Sequence, residues 1–295
     1  MSLMQNEKIV AEQVIRIQKD FPDLKIHNAK IIGEGWLTVA ILINDKYVFR
    51  MPVKHEVDPA RFKAEIAVLH EIASRMPVEI PEPIYVPSDY SYFGYPVLNG
   101  VLAINVNFTQ VERETYRQQW MEIVEAIQKA LAKDEALKLG VEHMDISTEI
   151  ENAKRIIKIP DLDPKILNFA EQSISEAIRK NTPEESWSFI HGDVHMLNAL
   201  VDEKTHKIMG LLDWTHCWVG PLEVEFSIWE WDKVGELEKT ARAFEERTGR
   251  RINVQEAKMW RHIWEMSDFV ESYEEKNEKE VKSSKAHIER WVEAS

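Results

Sequence analysis

The segment His191-Gly192-Asp193-Val194-His195-Met196-Leu197-Asn198 sets polar side chains and a glycine between two apolar stretches, Phe189-Ile190 and Ala199-Leu200-Val201. A hydrophobic core has no use for such residues, so the segment presents them to something. Fifteen residues after Asn198 the apolar run Gly210-Leu211-Leu212 ends in Asp213-Trp214. This spacing of Asp, Asn and Asp suits phosphoryl transfer. Mg²⁺ takes hard oxygen ligands, and the Asn198 amide with the Asp213 carboxylate supplies two while leaving positions for nucleotide phosphates and water. Asp193 then remains to orient an attacking hydroxyl and to accept its proton late. An aspartate is a weak base at neutral pH, so orientation and charge are its main contributions. His191 and His195 around Asp193 also allow a zinc-hydrolase reading. That reading finds no further His-rich motif and leaves Asn198 without a role, so both histidines are expected to brace the loop.

The elements around these residues must hold them in place. Asp202 to His206 is a turn long enough to fold Lys207–Leu212 back antiparallel on Ala199–Val201, which would bring Asn198 near Asp213. Upstream, Ile9, Val10, Val14 and Ile17 recur at helical spacing until Pro22. Strands are predicted at Ile26–Ile32, Trp36–Ile43 and Lys46–Met51, separated by Gly33-Glu34-Gly35 and the Asn44-Asp45 turn. Asp58-Pro59 caps a helix carrying Phe62, Ile66 and Leu69 on one face. Extended pieces at Ile84–Val86 and Tyr92–Leu98 complete a sheet of about five strands, with Asn99-Gly100 marking its exit. Helices are predicted over Thr115–Ala132, Ile146–Ile159 and Lys165–Lys180, and again from Pro221 to Val292. The expected fold class is α+β, with a small antiparallel-sheet lobe at residues 1–98 and a larger, mainly helical lobe at 99–295.

On these motifs the chain resembles the aminoglycoside phosphotransferase family, the antibiotic-kinase branch of the protein-kinase-like fold. His191-Gly192-Asp193-Val194-His195-Met196-Leu197-Asn198 matches its His-Gly-Asp-x-His-x-x-Asn catalytic loop, and Leu211-Leu212-Asp213-Trp214 its metal motif. Gly220-Pro221-Leu222-Glu223-Val224-Glu225-Phe226 is similar to its Gly-Pro-x-Glu-x-Asp-Leu segment, with Glu225 where Asp is usual. The resemblance implies a two-lobed kinase with Asp193 catalytic, Asn198 and Asp213 on Mg²⁺, and His191, His195 and Glu225 in support. It places Gly33 and Gly35 in the nucleotide loop, Arg50 where a phosphate-binding Lys is usual, and Glu65 as the partner of that cation. Val97, Leu98 and Asn99 fall at the lobe junction, where backbone groups would read a purine edge. The run Tyr47-Val48-Phe49-Arg50-Met51-Pro52 looks most like the macrolide 2′-phosphotransferases, which favour GTP. Asn198 stands where several macrolide kinases carry His. The expected reaction is transfer of the γ-phosphate of GTP or ATP to an antibiotic hydroxyl, first the 2′-hydroxyl of a macrolide, with an aminoglycoside or another amino-sugar or amino-alcohol as the alternative. A non-catalytic, kinase-like nucleotide-binding module is the alternative from another class.

Composition narrows the partners. The 295 residues carry a formal net charge of -14, which disfavours nucleic acid and anionic membrane surfaces. Residues 1–98 hold 13 acids against 11 bases, so a net charge of -12 falls in residues 99–295. An acidic acceptor lobe suits a cationic small molecule. The single cysteine, Cys217, can form no internal disulfide and fits a cytoplasmic protein. A monomer is expected. Eight of the ten tryptophans lie beyond residue 180, where burial rather than ligand contact is their expected role.

Overall fold

A computed structural model describes residues 3–34, 38–52, 58–180, 183–232 and 236–294. The first elements in chain order are α1 (Leu3–Asp20), β1 (Ala29–Glu34), β2 (Thr38–Ile43), β3 (Tyr47–Pro52), α2 (Pro59–Ile72), β4 (Phe93–Pro96), β5 (Val101–Leu102), α3 (Gln110–Ala130) and α4 (Lys133–Lys138). There follow α5 (Ile146–Lys154), α6 (Pro164–Arg179), β6 (Ser188–Ile190), β7 (Ala199–Val201), β8 (Ile208–Leu211) and β9 (Trp218–Gly220). The chain ends with α7 (Leu222–Ser227), α8 (Trp229–Asp232), α9 (Glu236–Thr248), α10 (Val254–Glu274) and α11 (Glu278–Ala294). A four-stranded antiparallel sheet at the N-terminal end thus precedes a mostly helical remainder, the expected α+β arrangement.

The chain forms two compact units, Met1–Val141 with Met196–Cys217, and Glu142–His195 with Trp218–Ser295. In the first, the sheet order β1-β2-β3-β4 follows the chain, because each connection is short enough for neighbours to pair. Asn44 and Asp45 both take positive φ, 54° and 53°, as the turn between β2 and β3 requires. Among the described residues the sheet has four strands rather than about five. Tyr85 makes only an isolated bridge to Gly94, since Pro83 and Pro87 flank the Ile84–Val86 segment and cannot donate to a ladder. Ile17, Val39, Ile41, Phe49, Met51 and Tyr92 form the core against α1, each fully withdrawn from water. Helix α2 starts as predicted, with the Asp58 carboxylate accepting the Ala60 N–H and Pro59 in the first turn.

A second sheet of this unit, β5-β7-β8, carries the Ala199–Val201 hairpin. Its turn is built by Asp202, whose carboxylate accepts the N–H groups of Lys204 and Thr205. Gly100 leads into β5 at φ +117°, and a Cβ there would lie 2.8 Å from the Val201 carbonyl oxygen, so both conformation and space demand glycine.

In the second unit β6 pairs antiparallel with β9, and α10 packs against α5, α6, α7 and α11. The helix predicted over Ile146–Ile159 is α-helical to Lys154 and tightens to a 3₁₀ turn over Arg155–Lys158 before Pro160. Of the tryptophans beyond residue 180, Trp187, Trp214, Trp229, Trp260 and Trp291 are buried, Trp218 and Trp264 are half-buried, and the Trp231 side chain lies outside the described residues. Among the described residues no helix is long and apolar enough to cross a membrane.

Candidate active site

Two groups of polar side chains, one in each unit, contain most of the residues singled out by the sequence. In the first unit Arg50 lies in the middle of β3, opposite Ala40 of β2 and Phe93 of β4. Its neighbours Phe49 and Met51 are fully buried and, by strand alternation, leave the guanidinium on the other face. There Nη1 donates to Glu65 Oε1 at 2.7 Å, Nη2 to Asp213 Oδ1 at 2.5 Å and Nε to Thr38 Oγ1 at 3.2 Å. A planar fork can span two carboxylates in this way, and a lysine ammonium is poorly shaped for it. Glu65, 2% exposed on α2, accepts a second hydrogen bond on Oε2 from Thr215 Oγ1 at 3.1 Å.

The electrostatics follow from burial. Withdrawal from water works against the Arg50 charge, but Glu65 and Asp213 outweigh it and hold its pKa above the ordinary arginine value. Burial pushes the Glu65 carboxyl up to about 7, against the pull of Arg50. Tyr95 on β4 shares this environment: burial raises its phenol to about 12 although Arg50 acts in the other direction. The sequence places Tyr95 in the extended Tyr92–Leu98 piece and Thr38 in the Trp36–Ile43 strand, and gives neither of them, nor Thr215, a role. Alternation along β2 and β4 is the only signal that could have picked out the first two.

The β7–β8 hairpin brings the proposed metal ligands together. The Leu212 N–H donates to the Asn198 carbonyl at 2.8 Å, continuing the ladder one step past Ala199–Leu211, so Asn198 lies beside the residue preceding Asp213. Asn198 is buried, while the Asp213 side chain is 43% exposed. Asp213 itself is left-handed, φ 59° and ψ 71°, a conformation that costs a non-glycine residue roughly 1–2 kcal/mol and turns the chain into the 3₁₀ segment Trp214–His216. The Trp214 indole closes the turn by donating to the Leu211 carbonyl. An amide oxygen and a carboxylate fit Mg²⁺, which keeps several positions for water and phosphate, and do not fit a zinc site. Among the described residues no group of three or more His, Cys, Asp and Glu could hold a metal ion.

In the second unit the loop after β6 is held from beneath. Glu225, fully buried on α7, accepts the His191 N–H on Oε1 at 3.2 Å and the Gly192 N–H on Oε2 at 2.5 Å. Gly192 takes φ 80°, the left-handed turn that aims both amides inward. The buried His191 uses Nδ1 to accept the Asp193 N–H, and His195 Nε2 lies 2.9 Å from Asp193 Oδ1. The Asp193 side chain remains 32% exposed. Both histidines thus contact Asp193, and Glu225 accepts the two backbone N–H groups before it.

Burial pushes the Glu225 carboxyl up to about 7 despite its two N–H donors, with Asp193 adding to the rise. A folded pKa above the unfolded one means stability that is complete below about pH 4.5 and is lost as pH rises through about 7. Thermal unfolding of the wild type is thus expected to show lower stability at pH 8 than at pH 6. In Glu225→Gln that slope becomes shallower, by at most about 1.4 kcal/mol per pH unit for one group. An unchanged slope would mean that Glu225 is ionised throughout the range.

The remaining sequence-derived positions are more open. Gly33 sits on β1 at a bulge after Ile31, and an added Cβ would meet only Ala40 Cβ at 3.8 Å, so packing alone does not require glycine. Gly35 lies outside the described residues. Val97 and Asn99 are exposed and Leu98 half-buried, with the Val97 N–H donating to the Lys46 carbonyl at 2.8 Å.

Residues 28–260 match the sequence model of the phosphotransferase enzyme family, APH. Among solved structures, the chain is similar to the GDP complex of wild-type aminoglycoside 2′-phosphotransferase-IIIa: TM-score 0.79, 18% identity, 96% of this chain and 98% of that one. It is similar also to macrolide 2′-phosphotransferase type I, with TM-score 0.70, 17% identity and coverage of 94% and 96%. Apo macrolide 2′-phosphotransferase MphH from Brachybacterium faecium gives TM-score 0.69, 15% identity and coverage of 95% and 98%. No curated protein sequence matches the chain.

Proposed function

Because this chain belongs to the phosphotransferase enzyme family, we propose that it is a small-molecule kinase, moving the γ-phosphate of GTP or ATP to a hydroxyl of an amine-bearing antibiotic. The observation that carries the reading is the Arg50 fork between Glu65 and Asp213. A cation held by two carboxylates is fixed in direction, as a group that steers phosphates must be. Residues 1–98 serve the nucleotide, with Gly33, Gly35 and the Val97–Asn99 segment around it, and residues 99–295 serve the acceptor. Asn198 and Asp213 would hold Mg²⁺, which when bound neutralises charge on the transferred phosphoryl group. Asp193, oriented by His195 and by a loop pinned to Glu225, directs the acceptor hydroxyl and takes its proton late.

The first acceptor is the 2′-hydroxyl of a macrolide, supported by the β3 sequence from Tyr47 to Pro52. A second reading, an aminoglycoside, has its support in the likeness to aminoglycoside 2′-phosphotransferase-IIIa. Both acceptors carry protonated amines, which the net charge of -12 in residues 99–295 would attract. GDP in one related structure and ADP in another support a purine nucleotide donor.

A coupled assay decides between them: ATP and GTP, with and without Mg²⁺, against macrolides, aminoglycosides, choline, homoserine and simple sugars. Mg²⁺-dependent turnover on a macrolide or an aminoglycoside is expected. Nucleotide binding without transfer to any acceptor would instead favour the non-catalytic module, and failure to bind either nucleotide would sink the kinase reading.

A further inference from the structure

A threonine hydroxyl in a tight turn commonly bonds to backbone within its own turn. That of Thr215 does not. It reaches across a sequence separation of 150 residues to Oε2 of Glu65, and both side chains are withdrawn from water, 7% and 2% exposed. Glu65 is thereby tied at both oxygens, Oε1 to Arg50 and Oε2 to Thr215, and Arg50 in turn holds Asp213. Asp213 and Thr215 stand two residues apart in one turn. The contacts close a ring from Asp213 through Arg50 and Glu65 to Thr215 and back along the chain.

Closure has a mechanical consequence. The Arg50 ion pair and the hydrogen bonds of Trp214 and Leu212 already hold the turn carrying Asp213. Thr215 adds a further tether, from the same turn to the buried carboxylate that also holds Arg50, and so restricts how Asp213 can swing. The left-handed Asp213 backbone makes the tether matter, because a sparsely populated conformation persists only where surrounding contacts over-determine it. We infer that Thr215 is a positioning residue: its hydroxyl, through Glu65, locks the turn that presents Asp213 to the divalent cation. The inference rests on the kinase reading above, in which Asp213 is a metal ligand. Groups that orient metal ligands in this way typically change affinity by about 10–100-fold when removed.

The test uses the full chain and Mn²⁺ as the probe, with free Mn²⁺ followed by electron paramagnetic resonance. Non-hydrolysable analogues of GTP and of ATP are present in separate arms. Thr215→Val keeps the volume of the side chain and removes the donor; Thr215→Ser keeps the donor. In whichever arm the wild type binds, Thr215→Val is expected to weaken Mn²⁺ binding by about tenfold or more and Thr215→Ser by less than about threefold. Nucleotide affinity without metal should be the same in all three. A purely structural hydroxyl would lower the unfolding temperature of Thr215→Val and leave its Mn²⁺ affinity at the wild-type value, and that result overturns the inference while leaving the kinase reading intact. A wild type that binds neither Mn²⁺ nor nucleotide overturns both. Should Thr215→Val not fold, Thr215→Cys, of similar volume with only a weak S–H donor, carries the same expectation, and wild-type Mn²⁺ affinity in it overturns the inference equally.

Discussion

Asp193→Ala is expected to lower kcat by about a thousandfold or more while nucleotide affinity stays within a few-fold of the wild type. A positioned acid–base group contributes roughly 10²–10⁴ to a rate, and here the same carboxylate also orients the acceptor. The contacts that hold Asp193 and its loop come from the chain itself. His195 contacts one carboxylate oxygen, His191 accepts its N–H, and Glu225 fixes the two amides before it. None of those contacts needs the Asp193 side chain except that of His195, so removal of the carboxylate should leave the loop and the fold in place. Asp193→Asn separates the two contributions. It preserves shape and an acceptor for His195 but not charge or proton affinity, and its kcat is expected to fall nearly as far. Steady-state kinetics with calorimetric nucleotide binding check this, and a variant retaining a tenth of the wild-type kcat would remove Asp193 from the catalytic role.

Some of this arrangement can be read from the sequence because it is local. The β7–β8 hairpin follows from two short apolar runs and a turn of suitable length, and the ladder then sets Asn198 against Leu212 without further information. Helix α2 announces its start with Asp58-Pro59. The Ile84–Val86 segment misleads because its β-branched and aromatic residues outweigh, in a count of propensities, the prolines that stop it from pairing. The short helix α4, six residues between Ala132 and Leu139, escapes a search for periodicity since it makes fewer than two turns. The charge network is illegible for a different reason. Arg50 and Asp213 are separated by 163 residues, and nothing in either neighbourhood encodes that they meet. Resemblance points from Arg50 to Glu65, yet neither Thr215 nor the second arm of the fork has a sequence signature. Only the fold brings these side chains into contact. An ordinary threonine becomes informative only when its one hydroxyl is found on a carboxylate with no access to water.

Arg50→Met is expected to be the most destabilising single change at this network, and the pH dependence of the loss identifies its cause. Removing one member of a buried ion pair typically costs about 3–5 kcal/mol, because the other charge is left without compensation. Glu65 would be that charge above its folded pKa, and below it the carboxyl escapes the cost by taking up a proton. Burial and Asp213 both raise its pKa in the wild type and Arg50 opposes them, so without Arg50 the carboxyl is driven above about 7 and is protonated at neutral pH. A folded pKa lifted further above the unfolded value gives stability that is present at low pH and lost as pH rises through it. Arg50→Met should therefore unfold more readily at pH 9 than at pH 6, and by a wider margin than the wild type. Arg50→Lys should fall between them, since a single ammonium cannot serve Glu65, Asp213 and Thr38 at once. The double variant Arg50→Met with Glu65→Leu removes both charges and should recover most of the stability, as replacement of a whole buried pair by apolar groups commonly does. It should not recover turnover, because the cation proposed to steer the phosphates is still missing. Thermal unfolding between pH 6 and 9, read beside kcat and KM for the nucleotide, separates the two effects. A double variant that regains stability and activity together would show that Arg50 serves the fold alone.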